Sequence, residues 1–166
     1  MQSNYLFELH LHNHWNLYFN KLTIIIFMAR MVVTRMNDAF AFNAVDEAHN
    51  HMRLDIPVDQ GGHGTGLRPM QTLLSALGAC SGVDIVMILN KQKETIEFFE
   101  MVIDGERETG KEPALWTSVH IIFKFKGTMT KEKAEKACAL SIDKYCSVAA
   151  TLRAAGAVIS WEVELG

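Results

Sequence analysis

Short hydrophobic runs separated by turn residues dominate the chain between Met28 and Pro69. Turn residues fall at Asn37-Asp38 and at Ala48-His49, and short runs bounded in this way are typical of β-strands. Three strands are therefore predicted, over residues 29–36, 39–47 and 50–57. The segment that follows has four glycines between Gly61 and Gly66, which predicts a flexible loop that ends at Pro69.

From Pro69 to Lys93 the apolar residues predict one long helix. Proline suits its first turn, because the missing N–H would have had no partner there. The apolar positions cover nearly the whole circumference: Leu73, Leu74, Leu77, Cys80, Val83, Ile85, Val86, Ile88 and Leu89. A helix that is apolar all round must be buried on most sides. Gly78 and Gly82 each cost about 1 kcal/mol of helix propensity against alanine, which indicates that another backbone approaches the helix there.

The second half of the chain alternates strands and helices. Two strands are predicted over 96–106 and 117–127, helices over 131 to about 144 and over 146–155, and a last strand over 158–165. Thr130 is a suitable N-cap for the first of these helices, and Gly156 suits the end of the second. The order β-β-β-α-β-β-α-β, with two long apolar helical segments against an antiparallel-rich sheet, is an α+β fold.

The long apolar helix also predicts an assembly. A chain of 166 residues has difficulty burying such a helix alone. Two copies that enclose each other's central helices would bury it, so we expect an intertwined, obligate homodimer.

Composition and charge limit the classes of partner. Apolar residues make up 49% and charged residues 21% of the chain, a globular balance. The net charge is −3 with scattered lysine and arginine, so no nucleic-acid partner is expected. The uncharged apolar run Leu22–Ala29 is far shorter than the roughly 20 residues that cross a bilayer, so no membrane partner is expected either.

Residues 1–27 differ from the rest of the chain and are predicted as an N-terminal extension, non-native or disordered, before a domain over 28–166. They lack the basic start and the cleavage site of a signal peptide. His10, His12 and His14 would share one face of a strand, where clustered imidazoles can bind a metal. An incidental surface tract is the favoured interpretation, and no metal or cofactor is expected.

The three cysteines, Cys80, Cys138 and Cys146, form no CxxC pair, which argues against a disulfide framework and a structural zinc site. We expect a reducing cytoplasm, where a thiol pair would form a disulfide only transiently. Cys80 and Cys146 have small or hydroxylated neighbours that leave room for a substrate or a second sulfur. Cys146 also lies at a predicted helix start, which favours the thiolate. Cys138 lies within a helix and is assigned to packing.

Two segments of the chain, GLRPMQTLLSALGACSGVDIVMIL and the later KYCSVAATL, are similar to the OsmC/Ohr family of thiol-dependent hydroperoxide reductases. The resemblance runs from about Met28 to Gly166 in matching element order. It implies that Cys80 is the peroxidatic thiol and Cys146 the resolving thiol, with a dithiol or lipoyl-type reductant. It further implies a role in oxidative-stress defence and a preference for organic hydroperoxides.

An apolar wall formed by Leu77, Val83 and Met87 would favour such organic substrates. The chain also departs from the family pattern, in which a Glu after the helix-opening Pro orients an activating Arg. Met70 and Gln71 occupy those positions. The candidates for the arginine are Arg35, Arg53, Arg68 and Arg107.

Asp84, one turn beyond Cys80, would raise the pKa of that thiol if it lay close, or it would be satisfied by a partner in the dimer. Two alternative functions therefore stay open. One is a non-catalytic dimeric protein that binds an apolar small molecule, and the other is a thiol redox sensor.

Overall fold

A computed structural model of the protein describes residues 29–166. Its strands and helices are β1 (Met31–Arg35), β2 (Phe42–Asp46), β3 (His51–Leu54), α1 (Pro69–Lys91), β4 (Ile96–Arg107), β5 (Trp116–Gly127), α2 (Lys131–Leu140), α3 (Ser147–Ala154) and β6 (Val158–Leu165). A 3-10 turn, Val58–Gln60, precedes α1, and a π-helical turn, Ser141–Tyr145, joins α2 to α3. The α+β class and the order of elements are confirmed. The predicted extension over 1–27, with its three histidines, lies outside the described residues.

The main core lies between the helices and a sheet with the order β4-β5-β6. β5 pairs antiparallel with β4 and parallel with β6, because α2 and α3 carry the chain back across the sheet before β6 begins. From Val119 onward, alternate residues of β5 are buried, namely Val119, Ile121, Phe123 and Phe125, and Trp116 is buried beyond a register shift at the start of the strand. This period of two places one face of the sheet under the helices.

Helix α1 is buried along one side. The buried residues recur at helical spacing: Leu74, Leu77, Gly78, Ser81, Gly82, Ile85 and Leu89. On the other side, Val83 and Met87 are 60% and 53% exposed. One chain therefore buries only one side of α1, and burial on most sides stays a prediction that depends on a second copy. By length and composition α1 could also cross a membrane, a property that it shares with the core helices of soluble proteins.

The glycines of α1 admit side chains from β4. A Cβ at Gly78 would lie 2.7 Å from Cδ1 of Ile103, and one at Gly82 would lie 3.1 Å from Cε of Met101. Side chains of the sheet occupy this space, so the predicted approach of another backbone is wrong. Glycine is still required at both positions, because a Cβ at either one would hold the helix away from the sheet.

Strands β1, β2 and β3 form a separate antiparallel sheet in sequence order. The main core cluster draws its residues from Leu74 onward, so this sheet adds none to it. On β1, Met31, Val32 and Val33 are 53%, 53% and 57% exposed. The first sheet thus presents apolar side chains that the described part of the chain leaves uncovered.

The glycine-rich loop before α1 is fixed by one buried carboxylate. Asp55 is 1% exposed. Its Oδ2 accepts hydrogen bonds from the backbone N–H of His63 (3.3 Å), and from the N–H and the Oγ1 of Thr65 (3.0 and 2.8 Å). Its Oδ1 accepts from the N–H of Ile56 at 2.8 Å. These bonds, the one from the Thr65 N–H above all, lower the pKa of Asp55 to about 2. The loop is therefore ordered, and the prediction that it is flexible is wrong.

We expect Asp55→Asn to lower the melting temperature by several degrees and to speed hydrogen exchange at the His63 and Thr65 amides. Asparagine replaces one carboxylate oxygen by an NH2 group. This group is a donor and cannot accept the hydrogen bonds that the carboxylate oxygen accepted. Because the pKa of Asp55 lies below the ordinary 3.8, its stabilisation is complete above that pH and is lost as the pH falls towards about 2. Thermal melts and exchange rates at pH 7 and below pH 4 measure both effects.

The matched control is Asp59→Asn, an exposed carboxylate of the same loop. It should leave the melting temperature and the exchange rates unchanged. Equal effects of the two substitutions would contradict the role assigned to Asp55.

Candidate functional site

Cys80 lies near the middle of α1 and is half-buried. It packs partly against the main core. Its sequence neighbours differ in burial, since Ala79 is exposed and Ser81 is buried. The thiol therefore lies at the boundary between the buried side of α1 and the uncovered side.

Cys146 caps the N-terminus of α3. Its Sγ accepts a hydrogen bond from the N–H of Ala149 at 3.4 Å, and its own N–H donates to the carbonyl of Ser141 at 2.8 Å. The residue is 3% exposed. The sequence predicts a helix over 146–155, and the helix begins at Ser147 because Cys146 has the extended backbone of a cap residue.

The structure places Cys146 against the helix that carries Cys80: its Sγ lies 4.0 Å from the carbonyl oxygen of Leu77, less than one turn before Cys80, and the Cys80 thiol is close enough to affect the protonation of Cys146. Burial, and then the adjacent Cys80 thiol, raise the pKa of Cys146 to about 11, although the N–H of Ala149 opposes the shift. The expectation that a helix start favours the Cys146 thiolate is therefore wrong. A single hydrogen bond from a backbone N–H in the first turn of a short helix does not offset the loss of hydration of a buried thiolate. Both cysteines are free thiols in this structure.

A buried serine connects the helices that carry the two cysteines. Ser141 Oγ lies 3.2 Å from the carbonyl oxygen of Ser81 and 3.2 Å from Oδ2 of Asp84, both on α1. Asp84 is thus satisfied by a residue of its own chain. The expectation that it pairs across a dimer is not needed to explain it.

Cys138 lies on the inner face of α2 and is fully buried. Burial, and then Glu135, raise the pKa of its thiol to about 12. Its assignment to packing is confirmed by this position, since a neutral, buried thiol behaves as a small apolar side chain.

Two of the four candidate arginines bind backbone carbonyls, and the other two are exposed. Arg35 donates to backbone carbonyls of its own turn, including that of Ala39. Arg107 donates to the carbonyl of Ala114 and lies over the ring of Trp116, and Arg53 and Arg68 are exposed. Within residues 29–166, no arginine hydrogen-bonds to either Cys80 or Cys146.

Two open grooves border α1 and the edge strand β4. The first, of about 570 Å³, is lined by Leu67, Gln71, Leu74, Ser75, Gly78, Ala79, Met101 and Ile103. The second, of about 420 Å³, is lined by Ala79, Gly82, Val83, Val86, Met87, Phe99 and Met101. Of the predicted apolar wall, Val83 and Met87 line the second groove, whereas Leu77 is fully buried in the core.

A helical layer on a three-stranded sheet, with two adjacent thiols from separate helices, defines an α+β thiol protein. Residues 62–162 match the family described as OsmC-like protein. Protein YhfA of Escherichia coli K12 is 37% identical over 97 residues, which cover 57% of this chain and 72% of that protein. The chain belongs to the OsmC-like family, and the predicted resemblance is confirmed.

Solved structures show the same fold. A protein of Aquifex aeolicus superimposes with a TM-score of 0.69 at 28% identity, over 84% of this chain and 98% of that one. The organic hydroperoxide resistance protein OsmC of Legionella pneumophila superimposes with a TM-score of 0.61 at 16% identity, over 84% and 98%. The second likeness concerns the fold alone.

Sequence reasoning missed Ser141 and Arg153. Both lie in the second half of the chain, where the hydrophobic pattern predicts only continuous helices. Arg153 donates to the carbonyl of Ile142 at 2.7 Å and to the carboxylate of Asp143 at 2.9 Å. The π-helical turn that creates these contacts has no clear signal in the hydrophobic pattern, because its extra residue becomes visible only in the hydrogen bonds.

We expect native protein to be alkylated first at Cys80, slowly at Cys146, and at Cys138 only after unfolding. The order follows from burial, since Cys80 is half-buried while Cys146 and Cys138 are 3% and 0% exposed. Labelling of Cys146 should rise as the pH approaches its pKa of about 11, because the thiolate is the reactive form. Pulsed alkylation with peptide mass spectrometry measures each site, and native labelling of Cys138 as fast as that of Cys80 would contradict the order.

Proposed function

We propose that the protein reduces organic hydroperoxides, with Cys80 as the peroxidatic thiol and Cys146 as the resolving thiol. The observation that carries this proposal is the adjacency of two thiols that differ in burial. The half-buried thiol can meet a substrate, while the buried thiol stays protonated beside it. The name of the Legionella relative and the family membership of the chain support the same activity.

In the first step the Cys80 thiolate attacks the outer oxygen of the hydroperoxide. A sulfur–oxygen bond forms and the O–O bond breaks, so the sulfur is oxidised and the peroxide reduced. The leaving alkoxide takes a proton and departs as an alcohol, and Cys80 becomes a sulfenic acid. Ala79, beside Cys80, lines both grooves along α1. Their mainly apolar walls suit the alkyl part of such a substrate.

In the second step the Cys146 sulfur attacks the sulfur of the sulfenic acid. A disulfide forms, and the hydroxyl group leaves as water with the proton of the Cys146 thiol. The raised pKa of Cys146 keeps this proton in place until the reaction. A neutral resolving thiol also avoids a second negative charge beside the Cys80 thiolate, which would disfavour the reactive form.

The cycle needs an external reductant. A dithiol or lipoyl-type thiol attacks the Cys80–Cys146 disulfide, forms a mixed disulfide and is itself oxidised as both cysteines return to thiols. A reducing cytoplasm supplies such thiols, so we place the protein there.

We also propose that the protein acts as a homodimer. One chain leaves two apolar surfaces uncovered, on α1 at Val83 and Met87 and on β1 at Met31, Val32 and Val33. Exposed apolar surfaces of this kind are unusual on monomers and typical of interfaces. A second copy would bury both surfaces and close the grooves around the thiols.

We expect Cys80→Ser and Cys146→Ser each to abolish turnover of cumene hydroperoxide with a lipoyl-type dithiol. Cys80→Ser loses the nucleophile, whereas Cys146→Ser still reduces about one equivalent of peroxide and then stops as the sulfenic acid. Peroxide consumption and trapping of the sulfenic acid with dimedone measure the two steps.

The matched control is Cys138→Ser, a cysteine that the proposed cycle does not use. It should keep at least half of the turnover of the parent. Undiminished turnover in the double variant Cys80→Ser/Cys146→Ser would end the proposal.

The dimer predicts a solution mass of twice 18.7 kDa. We expect Val83→Lys to shift it towards the monomer, because the ammonium group would lose its hydration in an apolar interface. Thr109→Lys adds the same side chain to the exposed β4–β5 turn and should leave the dimer intact. Sedimentation analysis measures both, and a monomeric parent would refute the dimer.

A non-catalytic binding protein is the second candidate function. It is favoured by Met70 and Gln71 where the family pattern has an acidic residue, and by the lack of an arginine bond to either cysteine within residues 29–166. It predicts slow alkylation of Cys80 at pH 6 and retention of an apolar ligand through native purification. Rapid alkylation at pH 6 would instead support the peroxidase.

A further inference from the structure

The π-helical turn Ser141–Tyr145 ends directly before Cys146 and contacts α1, the helix that carries Cys80. Its first residue, Ser141, is fully buried. The Ser141 hydroxyl group has one proton, which it donates either to the Ser81 carbonyl or to the Asp84 carboxylate, each at 3.2 Å. These acceptors follow Cys80 on α1, Ser81 directly and Asp84 after about one turn. The side chain of Ser141 therefore ties the turn to α1 beside the Cys80 thiol.

The backbone of the same residue holds the other thiol. The Ser141 carbonyl accepts the hydrogen bond of the Cys146 N–H at 2.8 Å, which is the i to i+5 bond that defines a π-helix. In an α-helix the Cys146 N–H would instead bind the carbonyl of Ile142. That carbonyl accepts a hydrogen bond from Nη1 of Arg153 at 2.7 Å. Arg153 thus satisfies the acceptor that the π-helical register leaves free.

We propose that Ser141 is a positioning residue for the thiol pair. With Asp84 and Arg153, it holds the turn in the π-helical register that sets the Cys146 sulfur against Cys80. An α-helical register would carry the following residues about 100° around the helix axis, away from α1. The inference rests on the proposed function, because it assigns to Ser141 the efficiency with which Cys146 resolves oxidised Cys80.

The test measures the effective concentration of Cys146 towards Cys80, without any peroxide. The reduced full-length protein is equilibrated with glutathione buffers, in which two thiols and one oxidised glutathione give a protein disulfide and two reduced glutathiones. The fraction of Cys80–Cys146 disulfide, read by mass spectrometry after acid quenching, gives that concentration. The alkylation rate of Cys80 and the melting temperature are measured in parallel.

We expect Ser141→Ala to lower the effective concentration about tenfold, as the loss of a hydrogen bond to a charged acceptor allows. The alkylation rate of Cys80 should stay within about twofold of the parent rate, since Ser141 does not bind that thiol. A loosened fold would instead change both measurements. Thr72→Val is the matched control, because Thr72 lies on α1, its hydroxyl donates to the Arg68 carbonyl of its own helix, and it lines neither groove.

A second pair of variants keeps the test decisive if Ser141→Ala folds poorly. Asp84→Asn retains an oxygen that accepts the Ser141 proton and should keep the effective concentration near the parent value, whereas Asp84→Ala should lower it. Equal values for these two variants, or for Ser141→Ala and the parent, would overturn the inference. A parent that forms no Cys80–Cys146 disulfide in any glutathione buffer would overturn it as well.

The outcomes separate this inference from the proposed function. A parent that forms the disulfide but consumes no hydroperoxide would end the peroxidase proposal. In that case a lower effective concentration in Ser141→Ala would still support the positioning role. A parent that turns over hydroperoxide, together with an unchanged Ser141→Ala variant, would end the inference alone.

Discussion

The close packing of α1 on the sheet sets the position of every other part of the site. On the inner side of the helix, the side chains of Leu77, Ile85 and Leu89 are fully buried. Between them, Gly78 and Gly82 leave room for the side chains of Ile103 and Met101. Each glycine costs about 1 kcal/mol of helix propensity, which the closer packing of apolar side chains offsets. The depth of this contact leaves Cys80 half-buried, neither sealed in the core nor free in solvent. It also fixes the surface on which α2, the π-helical turn and α3 pack.

The two thiols owe their different properties to this packing. Cys146 caps α3, yet burial raises the pKa of its thiol to about 11, because desolvation outweighs the hydrogen bond from the helix. Cys80 lies at the edge of the same buried layer. A half-buried thiol next to a protonated, buried one is an arrangement in which the first can react with a substrate and the second can close a disulfide.

Family membership establishes the fold more firmly than the chemistry. The chain shares the OsmC-like fold, but Met70 and Gln71 replace the acidic residue of the family pattern, and Arg107 and Arg153 lie in contacts with backbone carbonyls. A fold hosts an activity through its site and does not determine it. A peroxidatic Cys80, as proposed above, would therefore be activated by groups other than a Glu–Arg pair at those positions.

The sequence by itself determined the order of the elements and the long helix after Pro69, and it singled out Cys80 and Cys146 as the candidate thiol pair. These features follow from local periodicity, turn residues and the neighbours of each cysteine, all of which are short-range. The tertiary structure decided which side of α1 is buried, the order of the Asp55 loop, the raised pKa of Cys146 and the bridge at Ser141. Each of these depends on desolvation or on hydrogen bonds between residues distant in the chain, such as Ser141 and Asp84. A one-residue change in helical register leaves the hydrophobic pattern almost intact, and so only the folded chain reveals it.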